Sequence, residues 1–411
     1  MNGFDFSTAT EMYIGNTPVS EVYMGSNLIW SSTPIDYESM PLTIQSLSDN
    51  NTIKVYYYTN DINSFNPEIQ YSIDDGTTWN TVAYSGTNGA HNITTLNTGG
   101  KVMLRGGAGL INSGATYVQN NKRIYISNSG KHKIYGNPLS LIKDITVANW
   151  YNENISTINT FRQLFYNNTG LTNANNLKLT STTLVDDCYL SMFNGCTSLK
   201  TAPELPATTL AQSCYDSMFN NCFNLAAAPE LPATTLANRC YYSMFSGCSI
   251  LRVAPQLPAT TLATNCYQGM FSNTALTAAP ELPATTLTQG CYYNMFNGCN
   301  ALTVAPVLPA TTLAAGCYLG MFNGCKSLTT APQLPATTLA TNCYSNMFQG
   351  CISLTSAPEL PATTLADSCY QSMFNGCNHL VNAPQLPVTT LANRCYYSMF
   401  SGCLALTTAP Q

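Results

Sequence analysis

The sequence predicts a chain in two parts, an all-β N-terminal part followed by an α/β solenoid of about ten repeats. Three observations support this division. All 17 cysteines lie between Cys188 and Cys403. A Cys-Tyr pair recurs through that region at a nearly constant spacing, which is the signature of a repeat architecture. The first third of the chain instead carries short strand-like runs separated by turn residues.

The repeat unit is 26 residues long. Successive Cys-Tyr pairs are 26 residues apart, except for one step of 25 residues. A second cysteine follows eight positions after the first in every unit but the short one, so the cysteine count follows from the repeat. A degenerate tenth unit precedes the nine, with Phe161 and Phe165 at the positions of Tyr189 and Phe193, as expected of a solenoid cap. The first cysteines of the nine units are Cys188, Cys214, Cys240, Cys266, Cys291, Cys317, Cys343, Cys369 and Cys395.

Each unit predicts one amphipathic helix. At ~100° per residue, the recurring residues between Leu210 and Phe219 fall on one half of a helical wheel and the varying residues on the other. Thr208 or Thr209 is suited to the N-cap. The small residue just before each methionine predicts close approach of the neighbouring helix. A glycine after the Met-Phe pair predicts a left-handed C-cap, as at Gly195, Gly247 and Gly298.

A short strand is expected after each helix. Leu199 and Ala202 indicate a strand that ends at Pro203, because proline cannot donate to a β-ladder. The Pro-x-Leu-Pro stretch then predicts an extended turn into the next unit. One helix and one strand in 26 residues is the anatomy of a leucine-rich repeat.

The repeat resembles the BspA-type leucine-rich repeat. Cys-Tyr-x-x-Met-Phe-x-Gly-Cys stands where that family usually has Ala-Phe-x-x-Cys, and the resemblance covers residues 159–411. The Leu-Pro-Ala-Thr-Thr-Leu variant is similar to repeats in surface and phage proteins of gut Bacteroidales. The resemblance implies adhesion or recognition without a fixed ligand.

Residues 1–33 predict a small β-meander, from Tyr13-Ile14-Gly15, Tyr23-Met24-Gly25 and Leu28-Ile29-Trp30. The segment resembles N-terminal modules of tailed-phage virion proteins, where the N-terminus usually attaches to the particle. This resemblance makes Tyr13, Tyr23 and Trp30 candidates for particle attachment. The alternative is a small hairpin packed on the next domain.

Residues 34–135 predict an immunoglobulin-like β-sandwich from the spacing of their strand-like runs. Residues 136–158 are expected to form the connection and the N-terminal cap of the solenoid, which then occupies residues 159–411.

Sequence motifs for catalysis or cofactors are weak. Ser72–Trp79 fits the Asp-box pattern of sialidases, in which a single copy predicts a tight turn. The cysteines lack a Cys-x-x-Cys pair, which disfavours a metal site and favours buried free thiols; a disulfide ladder in an oxidising medium is the alternative. We therefore expect no catalytic residue, no metal, no cofactor and no enzymatic activity.

The charge pattern limits the ligands of the solenoid. Net charge is −5, which disfavours nucleic acid. From Cys188 to Gln411 there are only 5 Lys+Arg and 6 Asp+Glu, which suits a neutral glycan or a protein partner. The tyrosine after each first cysteine is expected at the edge of the core. The ligand-contact candidates lie one residue further on, at Tyr242, Tyr293 and Tyr397.

These features predict a non-enzymatic phage virion protein of fibre or decoration type, assembled in the host cytoplasm beside other virion proteins. Its N-terminus would attach to the particle and its repeats would face the host surface or a protein. Neither a secretory signal nor the ~18 apolar residues of a membrane span is present, so membrane insertion is not expected. A homo-oligomer, or a partner covering the C-terminal end, is also expected. The alternative is a leucine-rich-repeat adhesin on the bacterial cell surface.

Overall fold

The computed structural model describes residues 35–58, 68–82, 89–107 and 123–408, together with the backbone of four short strands nearer the N-terminus. These four strands form two antiparallel hairpins, β1 with β2 and β3 with β4. The strands are β1 (Met12–Ile14), β2 (Thr17–Val19), β3 (Glu21–Met24) and β4 (Asn27–Ser31).

Nine further strands form two sheets, so the N-terminal region is rich in β-structure as predicted. The strands are β5 (Leu42–Ser46), β6 (Asn51–Tyr58), β7 (Ile69–Ser72), β8 (Asn80–Thr81), β9 (Gly89–Leu96), β10 (Lys101–Gly106), β11 (Arg123–Asn128), β12 (His132–Gly136) and β13 (Leu171–Leu177). One sheet has the order β13-β12-β5-β10-β7-β8 and the other β11-β6-β9. Their alternating apolar residues, such as Ile44, Val55, Leu104 and Ile126, are buried in the core.

The larger sheet continues into the first coil of the repeats. Strand β13 belongs to the degenerate unit and pairs in parallel with β12, which in turn pairs antiparallel with β5. Parallel bridging then proceeds from Asn173 to Thr201 in the next coil. Two short 3-10 helices, Pro138–Leu141 and Trp150–Asn152, lie between β12 and β13. The first repeat is therefore seated directly on the N-terminal sheet.

The prediction of a helix in each repeat is wrong. The segment predicted as helix is a run of β-turns, and no α-helix occurs among the described residues. Alternate N–H groups donate to the carbonyl three residues earlier, as Met192 N does to Tyr189 O at 3.1 Å. The intervening N–H groups donate to the next coil, as Tyr189 N does to Cys214 O at 3.0 Å. Half of the backbone bonds thus join neighbouring coils, whereas an α-helix would keep them all within one segment.

We call this run of turns, residues 186–195 in the second coil, the turn ribbon. Left-handed residues occur at every fourth position of the turn ribbon. In the second coil Asp187, Ser191 and Gly195 have φ values of 56°, 53° and 76°. The small residue before each methionine occupies one of these left-handed positions. Its backbone conformation therefore explains why a small residue recurs there, and the close approach of a neighbouring helix that we predicted does not. Glycine at 195 does adopt the predicted left-handed conformation, but between turns and not at a helix end. Asn, Gly, Ser and Asp tolerate this region best or bond locally to the backbone.

Two aromatic ladders confirm that the repeats stack in register. One consists of Phe161 and the nine tyrosines that follow the first cysteines, and the other of Phe165 and its nine equivalents from Phe193 to Phe400. Neighbouring ring centroids lie 5.4 Å to 5.9 Å apart along both ladders. The degenerate first unit contributes a ring to each ladder, so ten units share one continuous core.

The remainder of each coil is extended. Isolated parallel bridges replace the predicted strands, and they follow two lines along the solenoid. One line runs through the second threonine of each Thr-Thr pair, as in Thr183 to Thr209, and the other lies two residues after the buried leucine, as in Thr330 to Ser356. The Ala-Pro-x-Leu-Pro segment connects the two lines, with its leucine and the following alanine buried, as at Leu205 and Ala207.

Candidate recognition surfaces

The Asp-box is a closed hairpin between β7 and β8. Both carboxylate oxygens of Asp74 accept bonds, from Ser72 Oγ at 2.6 Å and from Thr78 N and Oγ1 at 2.9 Å and 2.6 Å. The Ser72 and Thr78 bonds hold the pKa of Asp74 at about 2. The Arg105 guanidinium lies 4.1 Å from the centroid of the Trp79 ring. These contacts fit the predicted tight turn, with Asp74 occupied by its own loop.

The cysteines have structural positions in the core. All 17 are free thiols, and all except the half-buried Cys403 are buried. The second cysteine of a unit donates its thiol to the phenylalanine carbonyl of the preceding coil, as Cys222 Sγ does to Phe193 O at 3.2 Å. Burial raises the pKa of Cys214 to about 12, so its thiolate is strongly disfavoured. Among the described residues, no group of three His, Cys, Asp or Glu side chains is placed to hold a metal ion.

Eight of the nine ladder tyrosines are buried, deeper than the core edge that we expected, and cannot contact a ligand, whereas Tyr396 in the tenth coil is half-buried. The three predicted contact residues lie further out and differ from one another. Tyr242 is half-buried beneath the Arg239 guanidinium, which lies 3.9 Å from its ring centroid. Tyr293 is also half-buried, whereas Tyr397 is 60% exposed. The structure does not bring the three together, because they belong to the fourth, sixth and tenth coils. The side chains of Tyr13, Tyr23 and Trp30 lie outside the described residues.

One ion pair crosses adjacent coils beside Tyr242. Asp216 is buried, and its Oδ2 accepts bonds from Arg239 Nη2 at 2.8 Å and Nε at 3.2 Å. Ser217 Oγ donates to Asp216 Oδ1 at 2.7 Å. Because these groups satisfy one another, the cluster serves to join the third and fourth coils and leaves little capacity for a ligand.

Shallow apolar notches occur between successive Ala-Pro-x-Leu-Pro segments, and we call them the proline notches. The notch between the sixth and seventh coils has a volume of about 460 Å³ and is bordered by Pro280, Pro283, Pro306 and Pro309. Val307 at its edge is 80% exposed. Equivalent notches lie between the third and fourth coils and between the seventh and eighth. They offer apolar contact but few polar groups, so they carry little specificity.

A different cleft lies where the N-terminal sheet meets the first coils, and we call it the junction cleft. Its volume is about 330 Å³. Leu177 and Leu179 are buried at this position, and polar side chains surround them. The lining residues are Glu38, Asn152, Asn154, Leu177, Lys178, Leu179, Thr180, Thr182, Glu204 and Pro206. Sequence reasoning did not identify these residues; the nearest signal was a pair of extra residues in the degenerate unit near Lys178.

Comparison with known proteins adds no family. No protein-family model matches the chain, and neither the curated proteins nor the solved structures searched contain a significant match. Within the described residues, no helix has the length and apolar character needed to cross a membrane. The chain therefore consists of a β-rich N-terminal region followed by a periodic repeat of about 26 residues with stacked rows of cysteine and aromatic side chains.

Proposed function

We propose that this chain is a non-enzymatic structural or adhesion protein of a phage virion, attached through its N-terminal region and displaying its repeats for recognition. The observation that carries the proposal is the in-register stack of ten coils. Such a stack presents the same surface positions at regular intervals along one body, which suits binding to extended or repeated targets. The bacterial and phage proteins that the repeat resembles serve adhesion or recognition, in keeping with this role.

The surface chemistry supports a neutral target. The Thr-Thr pairs are exposed in coil after coil, as at Thr208, Thr209, Thr234 and Thr235. Hydroxyl groups both donate and accept hydrogen bonds, and they carry no charge at neutral pH. A surface of this kind cannot attract a partner by long-range electrostatics and instead favours a neutral glycan or a protein at short range.

We further propose that the repeat is a variant of the BspA-type leucine-rich repeat in which the outer helix is replaced by the turn ribbon. The single leucine before each bridge, as at Leu199 and Leu302, keeps the buried position that defines the inner edge of such repeats. The cysteine at the end of the ribbon keeps a hydrogen bond to the neighbouring coil, as Cys248 Sγ does to Phe219 O at 3.2 Å.

Mass spectrometry of purified virions tests the principal proposal. We expect peptides of this chain in intact particles at a fixed ratio to other virion proteins. Absence from the particles, together with labelling of the chain at the surface of intact bacteria, would instead favour a bacterial cell-surface adhesin. Binding of the purified full-length chain to host cells, with competition by neutral host polysaccharide, separates recognition from a purely structural role.

A further inference from the structure

We propose that the junction cleft binds one or two residues of a neutral saccharide. The inference rests on the proposed recognition function, and it assigns that function to one site and one class of ligand. The cleft volume of about 330 Å³ is at the lower end of the ~300–1,000 Å³ typical of small-molecule sites, which suits a ligand of this size.

The irregular first coil builds this cleft. Strand β13 is seven residues long, whereas the later coils pair at single bridges. Strand alternation at its end buries Leu177 and Leu179 and leaves Lys178 half-buried between them. Lys178 N donates to Gly136 O at 2.9 Å, which ties this turn to the N-terminal sheet. The two extra residues of the degenerate unit thus coincide with the turn that places Lys178 at the rim of the cleft.

Part of the polar rim is held in place by the protein. Asn154 Oδ1 accepts from Thr182 N at 3.2 Å. Thr180 Oγ1 donates to Tyr151 O at 2.7 Å and accepts from Asn137 Nδ2 at 3.3 Å. These bonds link residues from the connection to residues of the second coil. The rim is therefore preorganised, which reduces the entropy cost of binding.

Other groups on the rim remain free to meet a ligand. The side chains of Asn152 and Glu38 make no hydrogen bond to any described residue, although both line the cleft. Lys178 Nζ lies 3.6 Å from Glu204 Oε2, beyond a normal hydrogen bond, and Glu204 is largely exposed. Acceptors, donors and an amide that can do both therefore converge on one small volume.

The charge and composition of the rim select the ligand class. Two carboxylates and one ammonium group give the cleft a net negative charge, which disfavours phosphates and acidic sugars. Sugar hydroxyls can donate to carboxylates and accept from an ammonium group or an amide. The C–H face of a pyranose ring can rest on the exposed ring of Pro206. A neutral saccharide satisfies all three requirements, whereas an apolar ligand would leave the polar rim unpaired.

Saturation-transfer difference NMR with the full-length chain tests this assignment. The probes are the methyl glycosides of glucose, galactose and mannose, and N-acetylglucosamine, each at concentrations up to tens of millimolar. We expect saturation transfer to at least one probe. Asn152→Ala and Glu204→Ala should each weaken its binding about tenfold, because each removes a hydrogen-bonding group that the sugar would use.

Glu359→Ala is the matched control, since Glu359 occupies the same repeat position as Glu204 but lies six coils away and is exposed. It should leave binding unchanged, and unaltered thermal unfolding of all three variants would show that the fold is intact. Binding of no probe, or equal binding by the cleft variants and the control, would overturn the assignment. If the cleft fails while the full-length chain still binds host cells, the recognition function stands and its site lies elsewhere.

Discussion

The N-terminal sheets and the turn ribbons of the repeats differ in how they satisfy their backbone hydrogen bonds. In the sheets, β6 pairs with β9 and β11 along most of its length, so its hydrogen bonds lead almost entirely to other strands. In the ribbons, only every second N–H reaches the next coil, and the others close local turns. Both arrangements satisfy the backbone, but the ribbon also fixes where each coil bends.

The difference shows how a core can be built without regular helices or long strands. In the sheets, β-branched and aliphatic side chains of both sheets lie in one buried core, as do Ile44 of β5 and Val55 of β6. In the ribbons, equivalent side chains of successive coils stack on themselves, as Tyr241 does on Tyr267 with ring centroids 5.8 Å apart. The stability of the repeats therefore depends on the same residue recurring at the same place.

The largest expected effect comes from removing one ring of a ladder. Phe245 is fully buried, and its ring lies 5.6 Å from that of Phe219 and 5.8 Å from that of Phe271. Phe245→Ala should lower the free energy of unfolding by about 3–5 kcal/mol, because it leaves a cavity that the two neighbouring coils share. Urea unfolding followed by circular dichroism measures the change.

Tyr242→Ala is the control for this loss, since Tyr242 lies on the same coil but is half-buried beneath Arg239. Its cost should stay below about 1 kcal/mol. Equal costs for the two substitutions would contradict the stacked core.

The second effect belongs to the N-terminal side, where β12 meets the first coil. His132 is buried, with Nδ1 2.9 Å from Gly130 O, and burial lowers its pKa from 6.5 to about 4 against the smaller opposing effect of that carbonyl. Between these values the unfolded chain binds a proton that the folded chain does not. The free energy of unfolding should therefore fall by about 3 kcal/mol as pH drops from 6.5 to 4.

Urea midpoints across this pH range measure the loss. His132→Gln removes the titrating group, so its unfolding should lack this component of the pH dependence even if its stability at neutral pH is lower. His379→Gln is the control, because His379 is exposed. The same pH dependence in wild type and His132→Gln would rule out His132 as its source.

A third, smaller effect is the change in stability when a glycine of the turn ribbon is replaced by alanine. Its sign distinguishes the turn ribbon from an α-helix. Gly316 lies inside the segment predicted as helix and has φ 61°, and a Cβ atom there would make only ordinary van der Waals contact, with Leu319 Cδ1 at 3.9 Å. Alanine should destabilise this position by about 1–2 kcal/mol in the ribbon, whereas it would stabilise a helix interior by about 1 kcal/mol. Thermal unfolding of Gly316→Ala measures the sign.

Gly320→Ala extends the comparison, because its Cβ would lie 2.2 Å from Asn294 Oδ1 in the preceding coil. It should cost more than Gly316→Ala, since steric conflict adds to the conformational penalty. Stabilisation by both substitutions would favour the helix.

The sequence was sufficient to predict the period, the degenerate first unit and the buried face of recurring residues, because each depends on recurrence. It did not predict the turn ribbon, because residues four apart, such as Leu210, Cys214 and Met218, lie on nearly the same face of a helix with 3.6 residues per turn. Left-handed positions such as Ser213 and Ser217 carried the missing signal, since a helix interior disfavours serine, asparagine and glycine.

The junction cleft was harder to predict for a different reason. Its lining comes from residue 38, residues 152 and 154, residues 177–182 and residues 204 and 206, and only the folded chain brings these segments together. A pair of extra residues near Lys178 marked the place in the sequence, but an insertion by itself indicates no ligand. Charge complementarity could be judged only once Glu38 and Glu204 were placed beside Lys178.

The smallest effect concerns the thiol bond between coils. Cys325 Sγ donates to Phe296 O of the preceding coil at 3.1 Å. In the short unit Thr274 occupies the equivalent position, and its Oγ1 donates within its own coil to Phe271 O at 2.8 Å, so threonine fits this position with its hydroxyl satisfied. Cys325→Thr should therefore change the free energy of unfolding by less than about 1 kcal/mol, while Cys325→Ala loses the bond and some packing and should cost about 1–2 kcal/mol. Urea unfolding under reducing conditions compares the two. A larger loss for threonine than for alanine would mean that volume at this position outweighs the hydrogen bond, and that the ribbon depends on cysteine for its shape and not for its donor.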